Sequence, residues 1–199
     1  MRFTRRRLDG AGYWQVRVDQ SSRLLTVLYM RDALGVTQTA APVGLPRVDP
    51  RAGIPADVVE SVGDLYTVAW NSWWTRCLAA GNDWAVDVLS PEFIGDVQLA
   101  KQVDYLRQRA IIWSQAHQET TRDAIHQECL RHSPIVRAYL SKQGPVALFT
   151  LRILVLPVDS SQVWPVGPEL VIVPDRLFTA GEAFNPVLFD LIETLRRPA

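Results

Sequence analysis

Residues 147–155 read ALFTLRILV, and this stretch decides the fold. Ala147, Phe149, Leu151, Ile153 and Val155 alternate with Leu148, Thr150, Arg152 and Leu154; the first set is wholly apolar and the second carries one charge. A period of two marks a strand, and a strand with a single charge on its second face belongs at the centre of a sheet, where both faces are covered. Toward the C-terminus, Glu169 to Val173 is a shorter strand, reached through the loop Val163-Trp164-Pro165-Val166-Gly167-Pro168. Asn185-Pro186 then caps a last helix, with Leu188, Leu191, Ile192 and Leu195 on its inward face.

Toward the N-terminus the language is helical. Asp57 caps a helix and Glu60, three residues on, completes a capping box. Val58, Val62, Leu65, Tyr66, Ala69, Trp70, Trp73, Trp74 and Cys77 then recur at spacings of three and four until Gly81 ends the run. A second stripe runs through Leu99, Val103, Leu106, Ala110 and Trp113 and fades at His117. The polar run HQETTRD that follows either stays helical and exposed or breaks near Thr120, and Ser133-Pro134 caps a further short helix ending before Gly144-Pro145.

At the start of the chain, Trp14, Val16 and Val18 alternate with Gln15, Arg17 and Asp19, giving a half-buried strand. A turn at Gln20-Ser21-Ser22 leads to a second strand over Leu24 to Met30, so the two form a hairpin. Residues 41–55, APVGLPRVDPRAGIP, hold four prolines and two glycines and read as an irregular crossing from strands to helices. The expected class is therefore α+β, in a single domain over residues 1–199. Its antiparallel sheet is built from N- and C-terminal strands (about 13–30 and 146–173) and packs against a central group of helices (about 57–80 and 96–142 with breaks), with a last helix at about 186–196.

Composition narrows the function by exclusion. Basic and acidic residues are equal at 21 each, so no net field draws the chain toward nucleic acid or an acidic membrane face. Arg2, Arg5, Arg6 and Arg7 read as solvated charges on a terminus. No apolar run approaches the length of a membrane span, and Thr4-Arg5-Arg6-Arg7-Leu8 leads into polar residues rather than an export signal. Two cysteines, Cys77 and Cys129, both on helical stripes, fit a reducing compartment, so a cytoplasmic location is expected. The phosphate loop, H-E-x-x-H, C-x-x-C and G-x-S-x-G are all missing.

Three readings of function remain, the third a small-molecule binding module, which requires an apolar pocket between the sheet and the Trp-bearing helix. The first is a non-catalytic protein-interaction or regulatory domain whose partner is another protein or a second copy of itself, with no cofactor. Trp164 in its proline-flanked loop, Trp84 and Trp74 are its candidate interface or groove residues, because tryptophan concentrates at contact surfaces. The second is a metal-dependent enzyme. All three histidines fall in residues 117–132; on a helix Glu119, Asp123 and His126 share a face, and His132 follows on an adjoining stripe. Those four residues are the candidate ligands of a divalent metal such as Zn²⁺.

Overall fold

The computed structural model of the chain describes residues 2–5, 14–36, 44–49, 63–81, 86–142 and 149–196. Its elements, in order, are β1 (Arg2–Arg5), β2 (Trp14–Asp19), α1 (Ser22–Ala33), α2 (Gly63–Ala80), α3 (Pro91–Ile94), α4 (Val97–Lys142), β3 (Phe149–Leu156), β4 (Trp164–Pro165), β5 (Leu170–Pro174), α5 (Asp175–Phe178), a 3-10 turn (Gly181–Phe184) and α6 (Asn185–Arg196). The chain divides into two compact units: a sheet unit of residues 1–20, 121–156 and 160–199, and a helical unit of residues 21–120 and 157–159. The expected start of α2 at Asp57, with Glu60, lies outside the described residues.

In the sheet unit the strand order is β1-β2-β3-β5-β4. Here helix and sheet are mixed as expected, but the sheet is not antiparallel. β2 runs parallel to β3, and β3 parallel to β5; only the outer strands β1 and β4 are antiparallel to their neighbours. Alternation shows which face of a strand is buried and is silent on direction. Direction is set by the connections, and a strand that leaves into a helix and returns after a long crossover comes back parallel. Register places Trp14, Val16 and Val18 beside Phe149, Leu151 and Ile153. That face, with Val171 and Val173, packs with Ile125, Cys129, Val136 and Leu140 of α4 and Leu188 and Ile192 of α6.

The expected second strand over Leu24 to Met30 is instead the body of α1. Ser21 caps it, its hydroxyl accepting from Leu24 N at 3.4 Å. Every residue from Leu24 to Ala33 is buried. A helix buried on all sides shows no polar face, so its continuous apolar run reads like a buried strand.

α4 takes the first of the two alternatives at Thr120, staying helical through it, and corrects one expectation: Pro134 lies inside it rather than opening a new helix, so the breaks expected within 96–142 are absent. Thr120 returns its hydroxyl to Ala116 O at 2.9 Å and so stays within the helix. Pro134 lacks the N–H that would reach Leu130 O. Pro134 is exposed and Leu130 is half exposed, so the ring and the freed carbonyl lie on the side that water can reach.

In the helical unit, α2 turns Trp70, Trp73, Trp74, Cys77 and Leu78 inward and ends at Gly81, whose φ of 57° accommodates the left-handed stop. The end of α1 carries a buried ion pair. Arg31 Nε meets Asp32 Oδ1 at 2.5 Å, its two terminal nitrogens donate to Leu45 O (2.8 Å) and Pro46 O (2.6 Å), and Asp32 Oδ2 accepts from Val48 N at 2.7 Å. The pair thus holds residues 45–48, where Val48 bridges to Val158. Among the described residues no helix is long and apolar enough to cross a membrane.

Candidate functional site

The four candidate metal ligands do not come together. Glu119, Asp123 and His126 are exposed on α4, whereas His132 is buried. Among the described residues no group of three or more His, Cys, Asp or Glu side chains is placed to hold a metal ion. His117 is also buried and stacks on Trp113, 5.6 Å between ring centres. Of the candidate contact residues, Trp74 is fully buried and stacks on Trp70 at 5.4 Å, Trp164 is half-buried in β4, and Trp84 lies outside the described residues.

His132 has a neighbourhood that spacing did not reveal. In the sheet unit its Nδ1 lies 3.1 Å from Asn185 Oδ1, and Phe178 and Phe184 set their rings edge-on to it. Its Nε2 is 3.6 Å from Glu128 Oε2, too far for a hydrogen bond, while the other Glu128 oxygen pairs with Arg131 at 3.2 Å. Burial lowers the His132 pKa, outweighing the upward pull of Asn185 and Glu128; burial alone lowers that of His117. A neutral ring sealed by two phenylalanines is placed to pack rather than to exchange protons with a substrate.

The thiols are equally withdrawn. Burial pushes Cys77 up to about 12 and Cys129 up to about 11, so neither is a thiolate at neutral pH.

Among the described residues of the helical unit, two features stand open to a partner or ligand. The first is the outward face of α2: Leu65 and Val68 are 79% and 82% exposed, and Ser72, Thr75 and Ala79 continue the face without a charge. Arg76 is the one charged residue between Leu65 and Ala80; Nε and Nη2 donate to the end of α3, at Phe93 O (3.0 Å) and Ile94 O (2.6 Å), and Nη1 to Ser72 Oγ (2.6 Å).

The second is a cavity of about 360 Å³ between the start of α1, residues 86–89 and the Ile111–Gln115 stretch of α4. Its loop wall is pinned by two anchors: buried Trp73 Nε1 donates to Val88 O and half-buried Arg107 to Leu89 O, each at 2.8 Å. Asp87 Oδ1 accepts from Leu89 N at 3.0 Å, and Ser90 N donates to Asp87 O at 3.1 Å, closing a tight turn. Sequence reasoning missed this site because Arg23 and Asp87 stand far apart in the chain. The nearest signal was Ser21-Ser22 ahead of an apolar run, a cap signature read as a turn. Compared with protein-family models, with curated proteins and with solved structures, the chain matches none.

Proposed function

We propose that the chain is a non-catalytic interaction domain that pairs with a second copy of itself through the outward face of α2. The observation that carries this is the exposure of Leu65 and Val68 on a helix face without charge. A helix that faces water permanently carries charged residues on its outer side, whereas one that is apolar or uncharged all round is covered in its working state. An uncharged face meets its own copy across a two-fold axis without opposing like charges, which favours self-pairing. The buried histidines and the withdrawn thiols support a role in binding rather than in catalysis.

Light scattering on the purified chain tests the proposal. The expected mass is twice that of one chain, falling to one chain in a Leu65→Glu, Val68→Glu double variant that keeps its circular dichroism. A monomer at the highest soluble concentration overturns the proposal, and so does a dimer indifferent to both substitutions.

A further inference from the structure

We propose that the cavity of the helical unit binds a small zwitterion, an α-amino acid with an aliphatic side chain. At about 360 Å³ it has room for roughly a dozen waters and falls within the size range of small-molecule pockets. Four kinds of lining group meet in it: a guanidinium, a carboxylate, hydrocarbon and hydroxyls. Arg23 brings a guanidinium, whose planar fork of N–H donors suits a carboxylate. Asp87 brings the opposite charge, held in place by its own turn, with one carboxylate oxygen engaged by Leu89 N. Val86, Leu89 and Ile111 add hydrocarbon between the charges and the protein interior.

The buried hydroxyls on the lining favour a cation beside the anion. Thr26 and Ser114 are 4% and 1% exposed, and their oxygens lie 3.2 Å apart. Together they own two hydrogens. Ser22 O (2.9 Å from Thr26) and Ile111 O (2.9 Å from Ser114) already draw on those, so their spare capacity is for accepting. A ligand ammonium matches acceptors of this kind, and a lone anion such as phosphate does not. The anchors from Trp73 and Arg107 hold the Asp87 turn in place before a ligand arrives, which reduces the ordering cost of binding.

Titration calorimetry with L-valine, L-leucine and L-isoleucine tests this, with N-acetyl-L-leucine, L-leucinamide and inorganic phosphate as comparisons. At least one free amino acid is expected to bind, and each capped form about tenfold more weakly or worse. Arg23→Gln is expected to weaken the amino acid by about tenfold, as is Asp87→Asn, but Asp87→Asn leaves N-acetyl-L-leucine unchanged. Ile111→Trp, which fills the cavity, abolishes binding while circular dichroism is retained. No heat from any of the three amino acids at their solubility limits overturns the proposal. Phosphate binding as tightly as the amino acids, or capped and free forms binding alike, overturns it too.

Discussion

His132 and His117 are both disfavoured as cations by burial, and the consequence for stability has a definite sign. The folded chain binds fewer protons at these rings than the unfolded chain does. Their contribution is therefore complete above the ordinary histidine value of 6.5 and is lost as the pH falls below it toward the lowered folded values. Urea midpoints measured from about pH 8 down to about pH 5 are expected to fall, each histidine adding up to about 1.4 kcal/mol per pH unit inside its window. In His132→Gln, which cannot titrate, the fall is shallower while the variant is less stable throughout. A midpoint that stays level from neutral to acid pH contradicts this account. The same residues show why the metal reading failed to converge: helical spacing aligned Glu119, Asp123 and His126 on a face that the core does not use, while His132 turned inward to Asn185, fifty-three positions away.

At the scale of elements, the Arg31–Asp32 pair ties the end of α1 to residues 45–48 through charged groups removed from water. Arg31→Met alone leaves Asp32 buried without its partner and is expected to cost about 3–5 kcal/mol. A double Arg31→Met, Asp32→Leu variant is expected to recover much of that loss, as followed by denaturant unfolding. A single variant that loses less than the double contradicts the expectation. The inward stripe of α2 and α6 were legible because each shows a helical period, and β3 because its alternation is interrupted by a single charge on one face. α1 was not, because burial on every side erases the period. The pairing of Arg31 with Asp32 left only a faint mark, two adjacent charges inside an apolar run. The direction of β2 against β3 left none, since a strand's pattern is the same read against either neighbour. Likewise, the cavity depends on a loop, a helix start and a helix middle that share no local pattern.

For the whole molecule, a formal net charge of zero and an uncharged α2 face give self-pairing no electrostatic component to screen. The dimer is expected to hold its dissociation constant within about twofold between about 0.05 M and 0.5 M salt, measured by sedimentation equilibrium. Weakening by tenfold would place charged groups at the contact. The parallel pairing of β2 with β3 reaches further, into the order in which the chain is made. Trp14 must wait for Phe149, about 135 residues later, before its strand acquires its parallel neighbour. Sheets closed by such distant segments assemble slowly, because loop closure precedes any gain from contact. On the ribosome the N-terminal strand emerges long before its partner and is the segment most in need of protection from premature association until synthesis passes β3.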